Sequence, residues 1–247
     1  MTSHHGDIDA EFPAVIDQAS RRELRKSLRK SRRSLTLLQQ KQASRALTRQ
    51  LLKHPQVIRS RHIALYLAND GEIDPAIFAA EARRHGKVCY LPVLHPVLHN
   101  RLWFVRYDSE AELLLNQFGI PEPAIKRGRR RSARALDLVL LPLVGFDAAG
   151  GRLGMGGGFY DRTFAFKRAG TYSPFLMGLA HECQKVESLP IASWDVPLDG
   201  VVTDRYSYRF NRASASSTPK PAVDRLFIGR YRTQSSARRF RSSRSNG

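Results

Sequence analysis

The sequence predicts an α/β fold: a single three-layer α/β/α domain around a largely parallel sheet, with a helical N-terminal segment and a disordered basic C-terminal tail. Three observations carry this reading. Strand-like and helix-like patterns alternate between residues 20 and 210. The segment LDLVLLPLVGF (136–146) is almost continuously apolar, as a strand buried on both faces should be. A chain of 247 residues, 42% hydrophobic and 26% charged, can build its own core without a disulfide or metal.

Taken in order, residues 1–19 read as a loose leader. A helix is expected from about Ser20 to Ser34, and a second from Thr36 to Lys53, on the spacing of their leucines. HIALYLA (62–68) is the first strand, ending at Asn69-Asp70-Gly71. Pro75 opens a helix over 77–86 that Gly86 stops. KVCYLPVL (87–94) and RLWFVRY (101–107) are strands, and Glu110–Asn116 reads as helical. After the apolar strand at 136–146, Asp147 to Gly151 make a turn. A helix is expected from Phe159 to Arg168, a strand over 174–181, and a short strand or turn at 201–204. Residues 20–210 form the domain, and 211–247, rich in Ser, Arg, Asn and Pro, form the disordered tail.

The net charge of +19 points first to nucleic acid, but its distribution weakens that reading. Residues 20–61 hold 14 basic side chains and one acidic. KRGRRRSAR (126–134) holds six basic and none acidic, and 211–247 hold nine and one. The remainder is mildly acidic. The first segment reads as the solvated face of helices, the second as an exposed loop. Non-specific attraction to RNA or other acidic surfaces follows from such charge without selection for it. No apolar run is long enough to span a membrane, and residues 1–20 carry four acids where a secretory signal needs a basic start. Two cysteines, Cys89 and Cys183, are too few for a disulfide framework or a zinc site, so a reducing cytoplasm is expected.

The stretch that can carry chemistry is RLGMGGGFYDR (152–162). Gly154, Gly156, Gly157 and Gly158 allow positive φ and converging amide N–H groups, and a following helix adds its positive end. Arg152 is suited to clamping phosphate oxygens and Asp161 to a divalent cation. Glycine content alone fits a plain tight turn equally well. The Gly-Lys-Ser/Thr nucleotide loop lacks its lysine and hydroxyl here, and the dinucleotide fingerprint fails because residue 159 is Phe. A Cys–His pair from His181 and Cys183 lacks a third orienting group. Trp103 suits a half-buried strand position better than a ring-stacking one, His95 and His99 are separated by Pro96, and Asp137 reads as a cap or turn residue.

The chain resembles the 5-formyltetrahydrofolate cyclo-ligase (methenyltetrahydrofolate synthetase) family. The core of the resemblance is LPLVGFDAAGGRLGMGGGFYDR (141–162). RRELR (21–25), ALYLANDGEID (64–74), YLPVL (90–94), FGIPEP (118–123) and GLAHECQKVESLPIASWDVPLDGVVTD (178–204) fall in the family's order. The resemblance implies an ATP- and magnesium-dependent cyclisation of 5-formyltetrahydrofolate, with or without a polyglutamate chain, to 5,10-methenyltetrahydrofolate. ADP and phosphate are released, and the enzyme is expected as a monomer. Carried over by position, Arg21, Arg25, Arg152, Gly154, Gly156, Gly157, Gly158, Phe159 and Tyr160 meet ATP. Arg21 stands where the family usually has Lys. Leu67, Glu72, Met155 and Phe159 meet the folate, with Glu72 accepting hydrogen bonds from the amino-pterin ring. Arg152 and Tyr160 are the catalytic positions. Asp161 and Asp195 match acidic positions associated with magnesium, and Asp199 competes with Asp195 for that role.

Overall fold

The computed structural model describes residues 18–108, 113–117, 119–123, 129–170 and 173–210. Chain order runs α1 (Gln18–Arg33), α2 (Leu37–Lys53), α3 (Pro55–Arg59), β1 (His62–Ala64), α4 (Ala76–Arg84), β2 (Val88–Leu94), β3 (Leu102–Arg106) and the hairpin β4 (Leu113–Leu115) and β5 (Pro121–Pro123). Then come β6 (Arg130–Arg131), β7 (Leu138–Pro142), the hairpin β8 (Gly145–Phe146) and β9 (Arg152–Leu153), α5 (Phe159–Thr163), β10 (Phe175–Ala180), β11 (Gly200–Thr203) and β12 (Ser207–Arg209). Single 3₁₀ turns stand at Ala133–Ala135, Ala165–Ala169 and Glu182–Gln184.

Eight of these strands form one sheet in the order β12-β11-β10-β7-β1-β2-β3-β6. The five central strands, β11 to β2, are mutually parallel, and antiparallel strands flank them on both sides. This is the expected largely parallel sheet. From β1 the chain crosses through α4 to β2 on one side, and from β7 it proceeds to β10 on the other. The strand order therefore reverses between β1 and β7, and in open α/β sheets the ligand-binding crevice lies beyond the carboxyl ends of the strands at such a reversal.

One face of the sheet is covered by α2 and α4. Leu47, Leu51, Phe78 and Ala82 pack there on Ile63, Leu138, Leu140 and Met177. The Thr36–Gln39 capping box fixes the start of α2. The other face buries Val139, Leu141, Phe146, Phe164, Val196 and Val201. Short helical turns and the loop leading to β11 cover it. The α1 helix lies elsewhere: Leu28 packs with Val144, Leu153 and Leu189, over the β8–β9 hairpin at the crevice.

Several expectations need correction. The α1 helix starts at Gln18, inside the supposed leader. Its basic residues do not all face solvent: Arg21 and Arg32 are buried along with Leu28. The helix expected at 110–116 is a strand at Leu113–Leu115, where three consecutive leucines extend against β5; residues 109–112 lie outside the described set. The basic loop ends in β6, which pairs with β3 and closes the sheet edge, while 126–128 lie outside the described residues. The apolar run 136–146 is two strands, because the chain turns off the sheet after Pro142. The helix expected at 159–168 is one α turn followed by a 3₁₀ turn, broken at fully buried Phe164. The leader residues 1–17 and the tail 211–247 also lie outside the described residues. Asp137 is a turn residue as expected: its Oδ2 accepts from the amides of Arg61 and His62 at 2.8 Å each. Among the described residues no helix is long and apolar enough to cross a membrane.

Leu140 is fully buried at the centre of β7. Its replacement by Ala should destabilise the protein by about 2–5 kcal/mol in urea unfolding, the transfer and cavity cost of a core leucine. A loss below about 1 kcal/mol would contradict this packing.

Candidate active site

The crevice is built from three segments. After β1, residues 65–74 form a turn whose shape is set by Tyr66, its hydroxyl donating to the carbonyl of Ile73 at 2.7 Å. Asp70 and Gly71 both take positive φ there, 54° and 75°. After β7, the chain folds into β8, the Asp147 turn, β9 and the glycine loop. Asp147 is buried and organises this turn, accepting from the amides of Ala149, Gly151 and Leu189. The third segment is α1, laid across both.

The inward stripe of α1 is Arg21, Arg25, Leu28 and Arg32, the 4-3-4 spacing of one helix face. Arg21 Nη1 pairs with Asp195 Oδ2 at 2.9 Å, and both side chains are nearly buried. The Nε of Arg21 is buried without a hydrogen-bond acceptor. Arg25 Nε donates to the carbonyl of Gly154 at 2.8 Å. Its guanidinium lies against Gly156, within 4 Å of where a Cβ would stand. Burial and the adjacent Arg21 cation both lower the pKa of Arg25, so its charge is incompletely compensated. An anion arriving there would relieve both penalties.

Arg152 is buried, with Nε donating to the carbonyl of Val196 at 3.1 Å and Nη2 paired with Asp161 Oδ1. The same Asp161 oxygen accepts from the amide of Val196 at 3.0 Å. Asp195 Oδ2 also accepts from the amide of Ala192 at 2.9 Å. The loop 192–196 is thus held to the segment flanking the glycines by Arg152 and Asp161, and to α1 by the Arg21–Asp195 pair. Gly156 and Gly158 have φ of 103° and 67°, which an L side chain rarely adopts. A Cβ at Gly157 would stand 2.7 Å from the ring of Phe159. The helix that follows is only one turn long, so the arginines, not a helix dipole, supply the positive charge at the loop.

On the other side, Glu72 Oε2 accepts from the amide of Asn69 at 3.2 Å, and Oε1 lies 3.7 Å from Arg32 Nη2. Burial raises its pKa to about 7, against the opposing pull of Arg32. Tyr160 in α5 has its pKa raised, first by burial and then by the Glu72 charge, and its ring stacks on Phe164. Leu67 is half-buried against the first core, and Met155 is exposed in the glycine loop.

The structure therefore brings Arg21, Arg25, Arg152, the four loop glycines, Phe159, Tyr160, Asp161 and Asp195 around one end of the crevice, with Leu67 and Glu72 at the other. Asp199 stands apart from them: its Oδ2 accepts from the amide of Leu176 at 2.8 Å and pairs with buried Lys167 at 3.2 Å, tying β11 to β10. Trp103 is half-buried, edge-on to His95 with Arg130 over its ring. Cys183 is exposed while His181 is buried. Among the described residues no group of three or more His, Cys, Asp or Glu side chains could hold a metal alone.

Sequence reading missed Arg32 and Asp70. Arg32 is fully buried and joins α1 to both crossovers, and Asp70 receives Arg29, Arg32 and Arg33 together. The signal was available in the 21-25-28-32 spacing, which puts arginines on the same face as Leu28.

The profile of the 5-formyltetrahydrofolate cyclo-ligase family matches residues 17–204. The chain belongs to this family. It is 43% identical over 183 residues to the 5-formyltetrahydrofolate cyclo-ligase of Haemophilus influenzae, covering 74% of this chain and 97% of that one. The corresponding Escherichia coli K12 protein is 40% identical over 176 residues, 71% of this chain and 96% of the other. The structure of Aquifex aeolicus 5,10-methenyltetrahydrofolate synthetase superposes with a TM-score of 0.66 at 32% identity, over 81% of this chain and 96% of that one. A synthetase of the same name from Mycoplasma pneumoniae shares the fold with a TM-score of 0.58 at 22% identity, over 74% of this chain and 98% of its own.

Asp161→Asn should strand the Arg152 guanidinium in its buried position. Urea unfolding should show a loss of about 3 kcal/mol, the usual cost of removing one partner of a buried pair. A loss within about 0.5 kcal/mol, typical of an exposed pair, would contradict the role given to this contact.

Proposed function

We propose that this protein closes the imidazoline ring of 5-formyltetrahydrofolate, using ATP and giving 5,10-methenyltetrahydrofolate, ADP and phosphate. The observation that carries the proposal is the gathering of Arg25 and Arg152 at the glycine loop, with Arg21 beside Arg25, across the crevice from Glu72. A polyanion and an N–H-rich ring are then bound side by side. In this reading the formyl oxygen attacks the terminal phosphorus of ATP, and the bond to ADP breaks. The folate's N10 then attacks the activated carbon, its proton leaves, and phosphate departs with the former formyl oxygen. Phosphorylation converts a poor leaving oxygen into a good one, so the protein mainly positions two substrates and neutralises charge. No side-chain nucleophile is required.

Arg21 and Arg25 bind the phosphates from α1, and Arg152 meets charge developing on the transferred group. Tyr160 excludes water between the two substrates. Glu72 accepts hydrogen bonds from the pterin N–H groups, and Leu67, Met155 and Phe159 supply apolar contact. Asp161 and Asp195 fit a magnesium ion that arrives with the phosphates, because magnesium uses one or two carboxylates plus phosphate oxygens rather than a protein cage. When bound, it neutralises phosphate charge. We also infer a monomeric, cytoplasmic protein on which the basic segment 211–247 adds only salt-sensitive, non-specific attraction to RNA.

The test is an absorbance assay near neutral pH for the near-ultraviolet band of the methenyl product. A rise that requires protein, ATP and magnesium together is expected. No rise from folded protein that binds ATP would reject the substrate. Arg152→Ala should lower turnover by about 10²-fold or more, as lost transition-state charge stabilisation does, and near-normal turnover would reject its role. Glu72→Ala should raise the KM for the folate at least about tenfold while that for ATP stays within about threefold, reflecting a lost charge-assisted hydrogen bond. An unchanged folate KM would remove Glu72 from the site.

A further inference from the structure

The α1 helix carries a cation that the proposed chemistry does not use. Arg32 has no solvent exposure. Its Nε donates to the carbonyl of Asp70 at 2.9 Å, and its Nη1 to the carbonyl of Leu143 at 3.1 Å. Its Nη2 donates to Asp70 Oδ2 at 2.7 Å and faces Glu72 Oε1 at 3.7 Å. One planar guanidinium thus joins the turn after β1 to the start of the segment after β7. In the reading above, the first of these segments forms the folate side of the crevice and the second leads to the phosphate side. The Leu143 carbonyl is held from a second direction by Gln184 Nε2 at 2.6 Å.

We propose that Arg32 is a positioning residue of the folate subsite: it fixes the Asp70–Glu72 turn and holds the Glu72 side chain where it can accept from the pterin ring. The inference rests on the folate reading above. A buried carboxylate favours its neutral form, and a neutral Glu72 would present a hydroxyl to the ring's N–H donors. Arg32 is the largest influence opposing that outcome, with Arg29 of α1 adding to it. Asp70, in the same turn, acts in the other direction. Tyr66, just after β1, and Tyr160 of α5 also face the carboxylate, and both have their own pKa raised by it and by burial. Among these groups only Glu72 sits near pH 7. Burial lowers the pKa of His181, just after β10, and its backbone hydrogen-bond partner is Gly71.

Asp70 makes the arrangement possible. Three arginines converge on it, and despite its partial desolvation their hydrogen bonds lower its pKa to about 2. It therefore remains charged across the working range and holds Arg32 where the guanidinium reaches Glu72. The opposing signs supply a discriminating prediction. Losing the Arg32 charge should raise the Glu72 pKa, and losing the Asp70 charge should lower it.

The experiment is the pH dependence of kcat/KM for 5-formyltetrahydrofolate at saturating ATP, from about pH 6 to about pH 9, in the full-length protein. Wild type should rise with pH through a midpoint near 7, as Glu72 ionises. Arg32→Gln should move that midpoint up by about one unit or more, the effect of removing an adjacent opposite charge. It should also raise the folate KM about tenfold while the ATP KM stays within about threefold. Arg32→Lys, which keeps the charge, should restore most of the midpoint. Asp70→Asn should move the midpoint down, and this variant decides the question if Arg32→Gln does not fold. A flat wild-type profile, variants that lose activity with the midpoint in place, or an upward shift in Asp70→Asn would overturn the assignment. Failure of the wild type to form the methenyl product would instead reject the folate reading itself.

Discussion

Burying a guanidinium is costly unless its donors find acceptors, and the arrangement of this molecule follows from how that condition is met at Arg32. Nε, Nη1 and Nη2 all find oxygen, and those oxygens belong to two segments far apart in sequence, Asp70 after β1 and Leu143 after β7. If α1 left the crevice, the Asp70 carboxylate would lose the arginines that pair it, and while α1 stays its guanidinium bonds both segments at once. A peripheral helix is thereby made part of the site. The hydrophobic contribution to the same docking is small in extent, one cluster around Leu28, Val144, Leu153 and Leu189.

The remaining arginines of the stripe use this anchorage. With Arg32 fixed at one end, Arg25 reaches the Gly154 carbonyl one and a half to two turns away and Arg21 reaches Asp195 beyond it. Each is paired with an oxygen that a phosphate group would replace on favourable terms, since burial and then the Arg21 charge lower the pKa of Arg25, and Arg21 keeps a buried donor without an acceptor among the described residues. The sheet supplies the other half of the logic. Strand order reverses between β1 and β7, so the folate-side turn and the glycine loop leave adjacent strands in neighbouring directions. On the proposed reading, substrates held by these segments lie side by side.

Much of this was legible in the residues. The alternation of apolar and helical segments gave the sheet with its helix layer, and RLGMGGGFYDR stood out because nothing but a special backbone needs so many glycines. What was not legible has physical reasons. A basic run is usually a solvated face, and α1 breaks that rule only because Asp70, Asp195 and three backbone carbonyls wait for its arginines; no local pattern announces those distant partners. Leu113–Leu115 carry helix-favouring side chains but pair with β5, where tertiary contact overrides propensity. Arg130 and Arg131 form an edge strand although their composition reads as loop, since charged side chains suit a sheet edge. Phe164 ends α5 because its ring belongs in the core, a demand visible only once the sheet is built.

The central claim is that α1, the turn after β1 and the glycine loop form one two-substrate site. Hydrogen-exchange mass spectrometry on the full-length protein tests it directly, because exchange slows where a ligand closes over backbone amides. Magnesium with a non-hydrolysable ATP analogue should protect residues 152–160 and the first turns of α1. Addition of 5-formyltetrahydrofolate should extend protection to residues 66–73. Protection confined to other surfaces, such as the β3–β6 edge or β11–β12, would contradict the account.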